Sequence, residues 1–245
     1  MSIEEPSNRY SVIEDKNPRE ILLLRGRGCG WRRCTFCDYH LDYNLDENAN
    51  YLCNEKELKK VTGVHRCLEV INSGSFCELD DRTIALVREI CVAKNIPELH
   101  VEFHWMYRDQ IEKMRRYFEE AGITLVVKMG VETFDHTFRE AVMKKGIDTE
   151  DPREIANYAD EVCLLFGLTG QTVESMGYDI KTGLQYFKRI CINIMVENST
   201  KIKPDPTVIR LFKKYYYDTY IHNPRVDILM SNTEFGVGDA YQPNS

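Results

Sequence analysis

Short apolar runs alternate with longer amphipathic segments along most of the chain. Each run is rich in Val, Ile and Leu, which is typical of parallel strands that are covered on both faces. The pattern predicts strands at residues 21–24, 67–71, 99–103, 124–127, 161–166 and 191–196. It predicts helices at residues 108–121, 173–188 and 206–220, and Gly122 is a natural stop for the first of them.

Strands that are separated by helices indicate stacked βαβ units around a parallel sheet. About six such units with right-handed connections form a barrel or part of one. We therefore expect an α/β fold, a partial (β/α)6 TIM-like barrel with outer helices. The active residues of such a fold lie on the loops that follow the strands.

One domain is expected over residues 1–245, with a short polar N-terminal extension at about residues 1–17 and a C-terminal capping segment at about residues 224–245. The C-terminal segment contains another apolar run, residues 226–230. This run is expected to be a last strand that caps the barrel or pairs with a second subunit. Since a second copy is one way to cover the open side of a partial barrel, a homodimer is also an expectation.

Composition narrows the class of protein. The chain has 245 residues, of which 43% are hydrophobic and 29% charged, so it can bury a sizeable core. Its net charge of −7 disfavours nucleic acid as a partner. No apolar run approaches the roughly 20 residues that cross a bilayer, and the polar, acidic N-terminus is unlike a signal peptide. We therefore expect a cytoplasmic protein with no membrane partner.

The chain has nine cysteines, an odd number that argues against a secreted disulfide framework. Six of them are scattered: Cys53, Cys67, Cys77, Cys91, Cys163 and Cys191. The three that lie inside strand-like runs, Cys67, Cys163 and Cys191, are expected to be small buried thiols.

The other cysteines stand together in one loop after the first predicted strand. Cys29, Cys34 and Cys37 have four and then two residues between them. Such a loop fits a zinc site with His40 as a fourth ligand, or a four-iron, four-sulfur cluster with one iron left open for another molecule. Three unligated thiols so close together invite oxidation. Of these interpretations the cluster is the favoured one.

Small and polar residues gather just after the predicted strands. They are residues 72–75, Glu102, His104, residues 129–133, residues 167–171, Glu197 and Asn198. Because functional groups of stacked βαβ units collect at the carboxyl ends of the strands, these residues are expected at the same edge as the cysteine loop. This alignment indicates an enzyme rather than a structural protein.

Four segments resemble motifs of the radical S-adenosylmethionine (SAM) superfamily: the cysteine loop, NSGSF at residues 72–76, GVET at residues 130–133 and FGLTGQT at residues 166–172. The loop departs from the usual family spacing, which has three residues between the first two cysteines. The resemblance extends over nearly the whole chain. It implies a cluster held by Cys29, Cys34 and Cys37, with SAM on its open iron. It also implies a 5′-deoxyadenosyl radical that removes a hydrogen atom from the substrate.

The resemblance also implies a set of SAM contacts. They are Phe36, Asp38, Asn72, Ser73, Gly74, Ser75, Glu102, Glu132 and Arg139. Gly74 lets the backbone approach the methionyl ammonium, while Glu132 accepts from the ribose or the ammonium and Arg139 pairs with the carboxylate. Phe36 offers an apolar face to the adenine. The structural alternatives are a tight turn for NSGSF, a helix-start carboxylate for Glu132 and a solvated helix charge for Arg139.

Within the superfamily, overall likeness is greatest to the queuine lyase family, which acts on a free base. That family cleaves queuine between its cyclopentenediol and its aminomethyl nitrogen, and one product is 7-aminomethyl-7-deazaguanine. Because a deazaguanine presents N–H donors beside a carbonyl, the resemblance implies base contacts from carboxylates and amides at Glu197, Asn198, Asn232 and Glu234. His40 and His104 are candidate proton shuttles, and Asp38, His40 and Asp42 are candidates to hold the diol.

The resemblance implies an external electron donor such as flavodoxin or ferredoxin. Two other functions stay open: a radical SAM enzyme that modifies a base in tRNA, and a zinc-stabilised binding module without catalysis. One basic stretch fits a tRNA contact, namely Lys201, Lys203, Arg210, Lys213 and Lys214 beside the tyrosines at residues 215–217. The same stretch is also typical of a helix with a solvated lysine edge.

Overall fold

The computed structural model of the protein describes residues 8–231 and 233–238. Eight strands lie in that part of the chain: β1 Tyr10–Ile13, β2 Arg19–Leu24, β3 Cys67–Asn72, β4 Glu98–Phe103, β5 Thr124–Glu132, β6 Glu161–Phe166, β7 Arg189–Ile194 and β8 Val226–Leu229. They form a sheet in sequence order, β1 to β8. β1 pairs antiparallel with β2, whereas the pairings of β2–β3, β3–β4, β5–β6, β6–β7 and β7–β8 are parallel. All six predicted strands are confirmed.

Helices connect the parallel strands. They are α1 Glu47–Leu58, α2 Asp81–Ala93, α3 Arg108–Glu119, α4 His136–Phe138, α5 Pro152–Ala156, α6 Val173–Tyr186, α7 Pro206–Phe212 and α8 Asp218–Tyr220. Short 3₁₀ helices cover Tyr39–Leu41, Phe76–Glu78 and Trp105–Tyr107, and π-helical turns cover Arg139–Met143 and Lys213–Tyr217. The first two predicted helices correspond to α3 and α6. The third predicted helix, residues 206–220, consists of α7, the second π-helical turn and α8, which follow one another without a break.

The described residues group into two compact units. The first contains residues 8–32, 39–127 and 235–238, and the second contains residues 33–38, 128–231 and 233–234. In both units the apolar strand residues are almost entirely buried: Leu22, Leu24, Leu68 and Val70 in the first, and Val162 and Leu164 in the second, have no exposed surface. Burial of this kind on both strand faces explains why the strands read as nearly continuous apolar runs.

Helix α1 was not predicted, because its inward face is polar. Its buried residues include Asn50, Asn54 and Glu57. Asn54 is paired with the backbone of Arg25 just after β2: its Oδ1 accepts from the Arg25 N–H at 2.7 Å, and its Nδ2 donates to the Arg25 carbonyl at 2.8 Å. The helix therefore fixes the start of the cysteine loop through hydrogen bonds rather than through apolar packing.

The first and last strands of the sheet, β1 and β8, lie in the two terminal segments of the chain. β1 lies inside the segment that was expected to be an N-terminal extension, and it was missed because all four of its residues are only half-buried. The apolar run at residues 226–230 contains β8, which pairs with β7 of the same chain. Among the described residues, every helix is too short or too polar to span a bilayer.

The scattered cysteines have different environments. Cys163 and Cys191 are buried inside β6 and β7, as predicted. Cys67 is only half-buried, so that prediction was wrong for this residue. The physical reason is its place as the first residue of β3, since the beginning of a strand is less covered than its middle.

Candidate active site

Glu78 organises the polar residues of the first unit. Its Oε1 accepts from the backbone N–H of Gly30 at 2.7 Å and from the Tyr107 hydroxyl at 2.8 Å, and its Oε2 accepts from the N–H of Ser75 at 2.6 Å. One carboxylate thereby fixes the cysteine loop beside Cys29, the turn after β3 and the short helix after β4. Burial, the hydrogen bond to Glu78 and its charge together raise the pKa of Tyr107, so this hydroxyl keeps its proton.

The turn after β3 requires glycine at position 74. A Cβ there would lie 2.5 Å from Glu78 Oε2 and 3.1 Å from the Cα of Cys29. Because the second neighbour is backbone, a side chain cannot be accommodated by a rotamer change. Gly74 therefore allows the turn to approach the cysteine loop closely.

Asn72 carries an acceptor that the described residues leave open. Its Nδ2 donates to the Ser75 carbonyl at 3.2 Å, while its Oδ1 is buried without a hydrogen-bond partner among them. The two serine hydroxyls already have structural bonds: Ser73 Oγ donates to the Asp42 carbonyl at 2.5 Å, and Ser75 Oγ accepts from the N–H of His104 at 2.9 Å. A buried, unsatisfied amide oxygen is costly unless a donor binds there. An ammonium group satisfies this requirement.

The two candidate histidines both belong to the first unit. The ring of His104 stacks on Trp31, with centroids 5.3 Å apart, and its Nδ1 accepts from the N–H of Met106 at 3.2 Å. His40 is half-buried in the short helix Tyr39–Leu41. Glu102 is half-buried in β4. The proton-shuttle role of the histidines and the SAM role of Glu102 stay predictions.

Asp42, a candidate to hold the diol, is bound to another residue. Its carboxylate accepts from both terminal nitrogens of Arg9, at 2.6 and 3.1 Å. The pair is buried on the arginine side, where only 5% of the side chain is exposed. A bidentate pair of this kind fixes the carboxylate orientation. Asp42 therefore helps to hold the chain that follows the cysteine loop.

In the second unit, the cysteine loop packs against apolar side chains. Phe36 belongs to a buried cluster with Met143, Leu165, Leu168 and Met195, and the partly buried Cys34 and Cys37 pack against this cluster. The two half-buried thiols thus have apolar side chains on one side. Such surroundings fit a buried iron–sulfur cluster, whose potential depends on solvent exposure.

The π-helical turn after α4 holds the same part of the loop. The carbonyl of Met143 accepts from the N–H of Thr35 at 3.1 Å, and the carbonyl of Val142 accepts from the Thr35 hydroxyl at 2.7 Å. Carbonyls at the end of a helix lack partners within the helix. Here Thr35, which lies between Cys34 and Cys37, supplies both hydrogen-bond donors.

Lys145 and Glu132 form a buried ion pair next to the cysteines. Burial by itself lowers the pKa of Lys145, but the charges of Glu132, Cys34 and Cys37 outweigh it and raise the pKa well above its ordinary value. The side chain therefore stays an ammonium, and its Nζ lies 5.9 Å from the centroid of the Phe36 ring. Lys145 was missed from the sequence because it lies 13 residues beyond its partner, outside any recognised motif.

Arg139 has its donors occupied by neighbouring groups. Its guanidinium donates to the carbonyls of Thr133 at 3.1 Å and Ile147 at 3.3 Å, to the carbonyl of Thr149, and to Glu140 Oε1 at 3.1 Å. Only 1% of Arg139 is exposed, and burial lowers its pKa. This geometry favours a role in holding the loop that carries Lys145, while a direct contact with a carboxylate stays a prediction.

One of the two candidate base contacts after β7, Asn198, holds the cysteine loop. Asn198 is 7% exposed, and its Nδ2 donates to the Phe36 carbonyl at 2.7 Å. Asp38 Oδ2 accepts from the N–H and the hydroxyl of Ser199, each at 2.9 Å. Glu197 pairs with Lys203 at 2.6 Å and is 45% exposed. Asn198 therefore contacts the cysteine loop directly, and Asp38 bonds to Ser199, the residue that follows Asn198.

Two further candidates, Asn232 and Glu234, follow β8 in the sequence. Glu234 Oε2 accepts from the N–H of Met230 at 2.5 Å, which closes the turn after β8. Asn232 lies outside the described residues. Their role as base contacts stays a prediction.

Comparison with solved structures finds a match over almost the full length of the chain. The queuine lyase from Clostridium spiroforme, solved with SAM and queuine bound, is 42% identical with a TM-score of 0.90, and the match covers 94% of this chain and 99% of that one. SuiB from Streptococcus suis is 12% identical with TM-scores of 0.53 and, for its SAM-bound form, 0.54. The match covers 84% of this chain and 48–49% of SuiB. SuiB thus shares the fold alone.

No family model matches the chain. An uncharacterised protein of Methanocaldococcus jannaschii is 25% identical over 149 residues, which is 53% of this chain and 39% of that relative's length. The likeness to the Clostridium enzyme confirms the expected α/β partial barrel of the radical SAM type. Identity at this level over nearly the whole chain also shows the family: the protein belongs to the queuine lyases of the radical SAM superfamily.

Proposed function

We propose that this protein is a radical SAM lyase that cleaves free queuine into 7-aminomethyl-7-deazaguanine and a cyclopentene-derived fragment. The observation that carries the proposal is the 42% identity, over 94% of the chain, to a queuine lyase that was solved with SAM and queuine bound. The acidic net charge of −7 also favours a free base over a nucleic-acid chain as the substrate.

Cys29, Cys34 and Cys37 would hold a four-iron, four-sulfur cluster, and three protein ligands would leave one iron for SAM. The donor set of three thiolates supports this assignment, as do the apolar surroundings of Cys34 and Cys37. The extra residue between the first two cysteines is accommodated by a loop that Glu78 fixes at Gly30. When bound, the cluster and SAM supply one-electron chemistry that removes a hydrogen atom from the cyclopentenediol.

The residues of this chain bind and orient SAM. Asn72 offers its open, buried Oδ1 to the methionyl ammonium. Lys145 pairs with the methionyl carboxylate, and Glu132 holds the lysine in place at 2.7 Å and accepts from the ribose. Phe36, which is 9% exposed, presents an apolar face to the adenine. Arg139 positions Lys145, because it donates to carbonyls of the loop that carries this lysine.

Release of the aminomethyl product requires a proton on its nitrogen. His104 and His40 are the groups proposed to supply it. His104 is held by its stacking on Trp31 and by the cap that it forms on the short helix Trp105–Tyr107. The base itself is bound by amides and carboxylates after β7 and β8, among them Glu197, Asn198, Asn232 and Glu234.

The proposal includes an external one-electron donor such as flavodoxin or ferredoxin, which would supply the electron, and a location in the cytoplasm, where such donors occur. A homodimer is proposed as the way in which the chain covers the open side of a partial barrel. The oligomeric state is measured by light scattering of the cluster-loaded protein. A monomer at working concentration would remove the dimer from the proposal without affecting the activity.

The decisive experiment is an anaerobic assay of protein reconstituted with iron and sulfide, with a chemical reductant and SAM. Added queuine is expected to accelerate the formation of 5′-deoxyadenosine and to yield 7-aminomethyl-7-deazaguanine by mass spectrometry. Cys34→Ala is expected to abolish turnover, while Cys53→Ala, outside the loop, is the matched control. Stimulation by tRNA but not by queuine would overturn the free-base assignment. A colourless, iron-free protein would favour a binding module.

A further inference from the structure

Three metal-ligating side chains meet at the amino ends of β3 and β4, in the first unit. Cys67 is the first residue of β3, and the strand register pairs it with Glu98, the first residue of β4. His100 follows two positions later, and because side chains alternate along a strand, it projects to the same face as Glu98. The active-site residues of this unit lie at the carboxyl ends of the same strands. The cluster is therefore a separate feature.

The three ligand atoms are close enough to share one ion. Cys67 Sγ lies 3.6 Å from Glu98 Oε1, His100 Nε2 lies 2.8 Å from the same oxygen, and all three atoms are within 4.8 Å of one another. Tetrahedral zinc, with bonds of about 2.3 Å to sulfur and about 2.0 Å to nitrogen or oxygen, places its ligand atoms roughly 3.3–3.6 Å apart. The Cys67–Glu98 distance already fits this range, the Glu98–His100 contact has to open by about half an ångström, and the Cys67–His100 separation, which is within 4.8 Å, has to reach the same range.

Burial and charge also suit a cation. His100 is 7% exposed at its side chain, Cys67 is half-buried and Glu98 is 49% exposed, so the three groups are partly desolvated while the site is open to solvent. Glu69, which pairs with His100 in the strand register, is bound to Arg19. The Cys67 thiol donates to the Glu98 carboxylate, and a bound cation would take the place of the proton that it donates.

We propose that Cys67, Glu98 and His100 bind a zinc ion that joins the amino ends of β3 and β4. One thiolate, one imidazole and one carboxylate make a borderline-soft set that suits zinc better than calcium or magnesium. Three protein ligands leave a fourth position for water. The ion replaces the Glu98–His100 contact with bonds to both residues and adds Cys67, so it stabilises the pairing of the two strands.

The test uses enzyme that already holds its cluster, so that the loop cysteines are occupied. The protein is dialysed anaerobically against micromolar zinc, and zinc and iron per chain are measured in the same sample. We expect about one zinc per chain with iron unchanged, and we expect Cys67→Ser and Glu98→Gln to weaken zinc binding by roughly tenfold or more. Cys53→Ser, which changes a half-buried thiol elsewhere, is expected to bind zinc as the parent does.

Glu98→Gln keeps the test independent of folding, because the side chain is half-exposed. X-ray absorption at the zinc edge adds a structural reading: one sulfur and otherwise nitrogen or oxygen neighbours are expected. Equal zinc binding by the parent and both variants, no zinc retained, or zinc gained only as iron is lost would each overturn the proposal. None of these results depends on queuine turnover.

Discussion

Lys145 Nζ lies 2.7 Å from Glu132 Oε1, and the two side chains are only 12% and 9% exposed. Glu132 has a left-handed backbone with φ of 70°, at the end of β5. This conformation is uncommon outside glycine and asparagine, and such outliers cluster at functional sites. A Cβ at Gly130 would lie 2.7 Å from Glu132 Oε1 and 2.8 Å from Lys145 Nζ. The strand end is therefore shaped around this ion pair.

If Lys145 pairs with the SAM carboxylate, its removal weakens SAM binding. We expect Lys145→Met to raise the Kd for SAM by roughly 10- to 100-fold, because a hydrogen bond to a charged group contributes about 1.5–3 kcal/mol. The Kd is measured by anaerobic equilibrium dialysis of the cluster-loaded protein. Lys113→Met, at an exposed position of α3, is the matched control. An unchanged Kd for Lys145→Met would remove the residue from the SAM site.

Loss of the Glu78 carboxylate should loosen the cysteine loop. Glu78→Ala leaves the N–H groups of Gly30 and Ser75 and the Tyr107 hydroxyl without their acceptor. We expect iron per chain after anaerobic reconstitution to fall at least severalfold. Tyr107→Phe removes one of the three donors and is expected to retain most of its iron. Full iron and full turnover in Glu78→Ala would contradict the positioning role.

We expect Asp179 to make the stability of the second unit depend on pH. Its Oδ1 accepts from the N–H of Phe134 at 2.7 Å, and burial raises the pKa of its carboxyl to about 7. Since the folded protein holds this proton more tightly than the unfolded chain, the stabilisation is complete below the ordinary pKa of 3.8 and is lost as the pH rises through about 7.

Asp179→Asn removes this titration. We expect the free energy of unfolding of the parent, relative to the variant, to fall between about pH 5 and pH 8 by an amount on the order of 2–3 kcal/mol. Anaerobic denaturant unfolding at several pH values measures it. Asp81→Asn, at an exposed position of α2, should show no comparable trend. A constant difference between the parent and Asp179→Asn would show that the carboxyl titrates normally.

Asn198 allows a structural role to be separated from a substrate contact. Asn198→Ala leaves the Phe36 carbonyl without its donor, and we expect the free energy of unfolding to fall by about 1–3 kcal/mol. If the residue only holds the loop, KM for queuine stays near the parental value at temperatures where the variant is folded. A large increase in KM without loss of stability would instead place the amide on the base. Glu197→Gln changes a half-exposed side chain, so we expect its free energy of unfolding to stay near that of the parent.

The strands could be predicted because parallel strands carry local apolar patterns. Helix α1 and strand β1 could not, since the inward face of α1 is polar and the residues of β1 are half-buried. The cysteine loop and the turn at residues 72–75 were found by their composition. Glu78 was missed because its role depends on donors 48 and 29 residues away in the sequence. Such contacts arise only when the chain is folded.

The π-helical turn Arg139–Met143 ends at Lys144, whose φ of 53° is left-handed. A π turn holds one more residue than the α-helical turn it replaces. Deleting a single residue there would rotate everything that follows by about 100° around the helix axis. Neither the carbonyls that accept from Thr35 nor the ammonium of Lys145 would then keep its direction. The number of residues in this turn therefore sets the directions of groups on both sides of the cysteine loop's attachment, independently of which side chains the turn carries.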